Sequence, residues 1–375
     1  MCLSYFWSID KDMTLKAIPK ESTLFLIPLG FFLMKPFSDG QKQKLLAFFS
    51  YAMVGYALYY LFKALIRFII SKDFDVFFYH GEYDLDSGLV PKALNAIHVS
   101  VFAGVGYFYF LKTELKTVLN KVFLILLFVF IILLSSKNIT LVFFLLNLIY
   151  FFFYSKSANK MRLRNLIVLS FILGLVLSFS KIKERFLVEF QTNTTNSISS
   201  NVIKNIPEGV HNVSIYEAWN NEKFTPNDFF PGTAFRVYQA RLFFDFLAEE
   251  PIFWSGFGLN ASYLKLEDKG KDYNVFLGSK EHEGYQKKNF HNQYIQVFAE
   301  LGVFAFILLI FILFINTKNA FKSKDFTHIA FAILMISLFL TESFLWRQRG
   351  VVFFTLFYCL FNFQKNSNLI KTQTR

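Results

Sequence analysis

Cysteine is nearly absent from this 375-residue chain. It occurs only at Cys2 and Cys359, and the second lies inside an apolar run, so no disulfide between them is expected. No Cys/His grouping has the spacing of a metal site. The opening residues MCLSYFWSIDKDM lack a basic stretch followed by an apolar one, and no cleavable signal peptide is expected there. Internal repeats of solenoid period are lacking too. Positive charge is plentiful, with 39 Lys and Arg against 27 Asp and Glu for a net charge of +12. It is dispersed through short loops and not gathered on one surface. That pattern argues against nucleic acid and for orientation in a bilayer with anionic lipid as a partner.

What remains is apolar. Hydrophobic residues make up 54% of the chain and aromatics 20%, with 53 Phe, well above what a soluble domain of this length holds. Apolar stretches of roughly 17–25 residues recur, the length that crosses a hydrocarbon core of ~30 Å. The sequence therefore predicts an all-α polytopic membrane protein of about nine spans. They fall near 22–34, 45–66, 93–111, 121–135, 139–154, 165–180, 293–315, 327–346 and 350–364. The loops KPFSDGQKQK, KTELKTVLNK, SKSANKMRLR and NTKNAFKSKD and the C-terminal tail are basic, and all lie on one side when the spans alternate. The positive-inside rule makes that side cytoplasmic. The N-terminus and the long segment 181–292 then face outward.

Three regions follow: N-terminal transmembrane helices over 1–180, an outer loop with amphipathic helices over 181–292, and C-terminal helices with a cytoplasmic tail over 293–375. Within the outer segment, QTNTTNSISSN (191–201) reads as a flexible polar linker. RVYQARLFFDFLAEEP (236–251) reads as a helix with Val237, Ala240, Phe244 and Leu247 on its apolar face and Pro251 closing it. PIFWSGFGLNAS suits a glycine-containing tight turn on the membrane surface. The segment does not read as a conventional globular domain.

Chemistry-bearing residues gather at the outer membrane level. In NFHNQYIQVFAELG, His291 falls at the start of a span, with Asn289 or Asn292 available as cap and Tyr294 one turn on. A helix N-terminus favours an uncharged imidazole and offers N–H groups to an anion, which suits a general base beside an anion site. An interfacial His and Tyr that merely anchor the helix fit the same pattern. Arg236 and Arg241 stand ~140° apart on their helix, either as phosphate ligands or as solvated arginines. In TESFLWRQRG, Glu342, Trp346 and Arg349 are expected on one helical face, with Glu342 and Arg347 as a candidate structural pair. Lys137, in the turn SSKN, is a further outer cation or a snorkelling lysine. The pairs DFD (73–75) and DLD (84–86) are either solvated loop acids or ligands for a divalent cation.

The order of these pieces resembles the O-antigen ligase and polymerase family of membrane glycosyltransferases. FWSIDKDMTLKAI, LLSSKNITLVFF, AFRVYQARLFFDFLAEEPIFWSGFGL, HNQYIQVFAELGVFAFILL and LTESFLWRQRGVVFFTLF carry the likeness over most of the chain. The resemblance implies a bacterial inner-membrane enzyme of about twelve spans with its long loop in the periplasm, of which this chain is an N-terminally shortened form. The family commonly has an arginine where this chain has Lys137, which neutralises phosphate without a bidentate fork.

The resemblance also implies transfer of a glycan from undecaprenyl diphosphate to an acceptor hydroxyl, with no metal or other cofactor. His291 would be the base and Arg236 the first diphosphate ligand, with Arg241, Arg349 and Lys137 as further contacts. Asn292 and Tyr294 would orient the acceptor or the imidazole, whereas Glu300, about 180° round the helix from His291, would face away. The acceptor is either lipid A–core, as for a ligase, or a second lipid-linked glycan, as for a polymerase. A protein-glycosylating ligase, a metal-dependent polyprenyl-phosphate-sugar transferase and a polysaccharide transporter are the other readings.

Overall fold

The computed structural model describes residues 1–78, 88–113, 117–134, 136–155, 211–279 and 283–363. The expected span at 165–180, the linker 191–201 and the DLD pair lie outside them. Helices dominate the described residues: α1 (Lys11–Glu21), α2 (Thr23–Leu33), α3 (Asp39–Ser71), α4 (Ala96–Lys112), α5 (Val118–Leu133) and α6 (Lys137–Ile149). They continue with α7 (Ile215–Asn220), α8 (Gly232–Glu249), α9 (Ser262–Asp272), α10 (Gln293–Ser323), α11 (Phe326–Thr341) and α12 (Gln348–Asn362). The described strands, β1 (His211–Asn212) and β2 (Asp228–Phe229), form one short parallel pair. This is an all-α membrane protein. By length and composition, Asp39–Ser71, Lys137–Tyr154 and Gln293–Ser323 are long and apolar enough to cross a bilayer, and Ala96–Lys112, Val118–Leu133 and Phe326–Thr341 are shorter apolar helices.

The chain divides into two compact units. The larger transmembrane unit comprises 20–162, 311–338 and 345–375. Its longest helix, α3, starts at a capping box in which Ser38 and Gln41 bond each other's backbone. Leu46, Ser50, Met53, Ala57 and Ala64 form its buried stripe, whereas Phe48, Tyr59, Phe62 and Ile70 remain exposed. Exposed aromatics on such a helix are what hydrocarbon surroundings allow and water does not. In the same unit Lys112 and Asp325 pair at 2.8 Å, and the Asn138 and Ser337 side chains bond at 2.7 Å.

The other unit comprises 1–19, 163–310 and 339–344. Contrary to the sequence reading, its residues 213–299 share a globular core. Phe224, Phe230, Tyr238, Phe243, Phe246, Phe257 and Phe290 are buried together. Each such ring removes ~150–250 Å² from solvent, so scattered aromatics close a core that periodicity does not reveal. The same cause rotates α8. Its buried face is Phe235, Tyr238, Gln239, Leu242, Phe243 and Phe246, and Phe244, expected inside, is exposed against the Trp219 ring.

The glycine-containing turn has a definite partner. Helix α10 is broken at Gly302, whose φ is +75°. The break frees the Ala299 and Glu300 carbonyls, which accept from the N–H groups of Phe257 (2.8 Å) and Gly258 (2.9 Å). Val303 N–H, at the start of the next helical stretch, donates to Phe253 O at 2.9 Å. A Cβ at Gly302 would lie 2.2 Å from Trp254 O, and one at Gly256 2.3 Å from Glu300 C. Gly302→Ala is therefore expected to destabilise the protein by about 1–3 kcal/mol or more, since left-handed strain and a backbone clash coincide. A lowered thermal midpoint of the purified protein in detergent would show it, and an unchanged midpoint would contradict the packing described.

The N-terminal residues bind the same turn. Trp7 Nε1 donates to Ser255 O at 2.9 Å, Ile9 N to Phe257 O at 3.0 Å, and Thr14 Oγ1 to Leu259 O at 2.7 Å. The FWSID block thus belongs structurally with the turn at 255–259.

Candidate active site

Two asparagines hold His291 in place. Asn289 Oδ1 accepts from His291 N–H at 2.9 Å. Asn292 Oδ1 accepts from the N–H groups of Tyr294 (3.0 Å) and Ile295 (3.1 Å), and so caps α10. His291 stands just before that cap with φ +47°, a left-handed conformation uncommon outside glycine. Its ring meets Phe235 edge-on, with centroids 5.6 Å apart. Nδ1 faces Glu342 Oε2 at 3.4 Å, the side chains being 27% and 9% exposed respectively. An ionised carboxylate there can only accept, and a neutral His291 that donates to it through Nδ1 would leave Nε2 as the accepting nitrogen.

Glu342 follows the end of α11, and two donors from the His291 side fix that end. Asn292 Nδ2 donates to Leu340 O at 3.2 Å, and Arg236 Nε to Thr341 O at 2.9 Å. These carbonyls are the ones a helix C-terminus leaves unpaired, and their partial negative charge suits a guanidinium. Arg236 Nη1 also donates to Gly232 O at 2.8 Å. The helix therefore stops at Thr341, and TESFLWRQRG is not one helical stretch. Glu342, Trp346 and Arg349 do not share a helical face, because a non-helical turn and the 3₁₀ turn Phe344–Trp346 intervene.

The structure thus brings together His291, Asn292, Arg236 and Glu342, all within one compact unit. The remaining candidates have contacts of their own. Tyr294 packs its ring edge-on against Phe339, with centroids 6.1 Å apart. Arg241 donates to Asn221 O and lies 4.7 Å from the centroid of the Tyr273 ring. Burial, then the Asp245 carboxylate that accepts its hydroxyl, pushes the Tyr273 pKa up to about 12. Arg241 lines a groove of about 210 Å³ with Tyr273, Lys269, Glu222 and Asp272, whose carboxylates offset its charge.

In the transmembrane unit, Arg349 Nε donates to His98 Nδ1 at 3.2 Å and Nη1 to Ala93 O. Lys137 is the first residue of α6. Arg347 is exposed at the N-cap of α12, and the acid read from sequence as its partner has His291 beside it. Glu300 is buried and accepts from Gln296 Nε2 at 2.6 Å, in line with a packing role. In the DFD pair, Asp73 Oδ1 accepts from Asp75 N–H at 3.0 Å. Among the described residues no three His, Cys, Asp or Glu gather as metal ligands do.

Sequence reasoning missed the pairing of Glu342 with His291. The available signal was a carboxylate just after an apolar run, but it is 51 residues from the histidine. No curated protein matches the chain. A family model described as O-antigen ligase matches residues 122–310, about half of the chain. That stretch includes the Arg236 helix, His291, its capping asparagine and the broken helix at Gly302. The chain belongs to the O-antigen ligase family, and O-antigen ligase or polymerase-type activity is what membership carries.

Proposed function

We propose that the protein transfers a glycan from undecaprenyl diphosphate to an acceptor hydroxyl at the periplasmic face of the bacterial inner membrane, in the manner of a ligase. The reading is carried by one observation: His291 Nδ1 faces Glu342, and Arg236 binds the adjacent Thr341 carbonyl. A base and a fixed cation thus meet at neighbouring residues of one short segment.

In the reaction, the acceptor oxygen attacks the anomeric carbon as its bond to the diphosphate breaks. The bonding pair leaves on the phosphate oxygen, and the hydroxyl proton passes to His291 Nε2. Glu342 stabilises the imidazolium that forms, as a carboxylate does behind any histidine base. Arg236 opposes the charge growing on the diphosphate, commonly the largest catalytic contribution. Arg241 we assign to holding the Asn221 loop. With one base and, among the described residues, no second carboxylate placed as nucleophile, displacement inverts the anomeric centre.

The side of the membrane rests on the basic loops. It is supported by the grouping of residues 1–19 with the outer segment, since sequence places both on the non-basic side. Polymerase is the second reading, differing only in the acceptor.

A deletion strain tests the proposal. Unmodified lipid A–core with polymer stranded on the lipid carrier is expected; core bearing single repeat units would instead assign a polymerase. An unaltered lipopolysaccharide ladder would overturn both. In a detergent assay with lipid-linked donor, transfer is expected to persist in EDTA, and loss restored by a divalent cation would favour the metal-dependent alternative.

A further inference from the structure

Gln296 is buried one turn inside the helix that His291 precedes, and no step of the transfer uses it. Its side-chain oxygen accepts from Phe290 N–H at 3.2 Å and from Ser343 Oγ at 3.2 Å. Phe290 is the residue before His291, and Ser343 the residue after Glu342. One amide oxygen therefore ties both halves of the base–carboxylate pair at their backbone neighbours.

The orientation of that amide is chemically determined. A backbone N–H can only donate, so the atom facing Phe290 must be oxygen. The nitrogen then donates to the buried Glu300 carboxylate at 2.6 Å and lies 3.3 Å from Ser262 Oγ. Ser262 Oγ in turn donates to Glu300 Oε1 at 3.2 Å. A carboxylate accepting from both leaves the amide no alternative rotamer of equal energy, because flipping it would set two oxygens together and face two donors with an NH₂ group.

We infer that Gln296 is a positioning residue for transfer: held by Glu300, it fixes the separation of His291 and Glu342. The inference rests on the His291 base reading above. It also gives the paired Q and E of HNQYIQVFAE distinct physical jobs, one aiming the site and the other aiming the first.

Gln296→Met keeps the volume and removes both acceptor bonds. In detergent-solubilised protein, kcat for glycan transfer is expected to fall about tenfold to a hundredfold, the scale of a small misplacement of reacting groups, with KM for the lipid-linked donor unchanged. Ser262→Ala breaks the same buried network without touching either arm, and should keep near-wild-type kcat at a comparable thermal midpoint. Gln296→Glu sets two carboxylates together and should be severely impaired. Adding Glu300→Gln to it reverses the roles, since the oxygens at 296 still accept from Phe290 and Ser343 while the new amide at 300 donates. That double variant should recover most of kcat.

Equal kcat losses for Gln296→Met and Ser262→Ala would overturn the inference, as would a rise in KM with kcat intact. If Gln296→Met fails to accumulate, Ser343→Ala removes one arm alone and should lower kcat severalfold; wild-type kcat there would also overturn it. Failure of the base reading is separately visible, because His291→Ala would then retain transfer while Gln296→Met still reported on its own effect.

Discussion

His291→Ala should lose glycan transfer by about 10²–10⁴-fold, the contribution general-base catalysis makes when a hydroxyl must shed its proton on attack. The loss should fall on kcat. The substitution removes a ring that is 27% exposed and contacts Phe235 and Glu342 at the edge of the core, so the cost to stability is small beside the loss of chemistry. Alanine also sits poorly at φ +47°, and the cost there is modest beside the left-handed glycine at 302. Membrane content and thermal midpoint should therefore stay near wild type while transfer disappears. His291→Asn tolerates that backbone conformation better and should be equally inactive, which separates lost chemistry from lost geometry. Transfer at near-wild-type rate in either variant would remove the base.

Arg236→Ala should cost about 10²–10³ in kcat, as removal of one preorganised charge-stabilising donor does elsewhere. A second loss accompanies it. The guanidinium bonds the Thr341 and Gly232 carbonyls, so its removal also loosens the segment that carries Glu342. Arg236→Lys tests the fork: an ammonium keeps the charge but cannot satisfy a carbonyl and a phosphate from one rigid plane. It should recover only a small part of the lost rate. Full activity in Arg236→Lys would show that the charge alone suffices, and full activity in Arg236→Ala would remove the residue from the site. Transfer measured in membranes with labelled lipid-linked donor reads both.

Much of the architecture is written in the sequence. The apolar runs at 45–66, 93–111, 121–135 and 139–154 fall within or close to α3, α4, α5 and α6, and 350–364 corresponds to α12. Runs of that length leave few alternatives, because an exposed backbone in hydrocarbon has no other way to satisfy its polar groups. The candidate histidine was legible because a cap motif and an apolar run frame it. Three particulars were not. The helix carrying Arg236 buries Tyr238 and Gln239 and leaves Phe244 outside, since a chain with aromatics on every face gives periodicity no preferred side. The helix expected through 346 ends at Thr341 because Arg236 and Asn292, more than 40 residues away, take its last carbonyls. And the span expected from 293 is divided at Gly302, where a separate loop supplies the hydrogen bonds that continuous helix would have made.

Sequence by itself determined the apolar surroundings this protein folds in, the helical character of its apolar runs and the family it resembles. These follow from composition and local spacing, which act over a few turns of chain. Only the tertiary structure decided the partners: Glu342 for His291, Thr341 for Arg236, and Gln296 for both flanks of the pair. Such hydrogen bonds join positions that have no fixed spacing along the chain, and they form only after a buried core has closed around them.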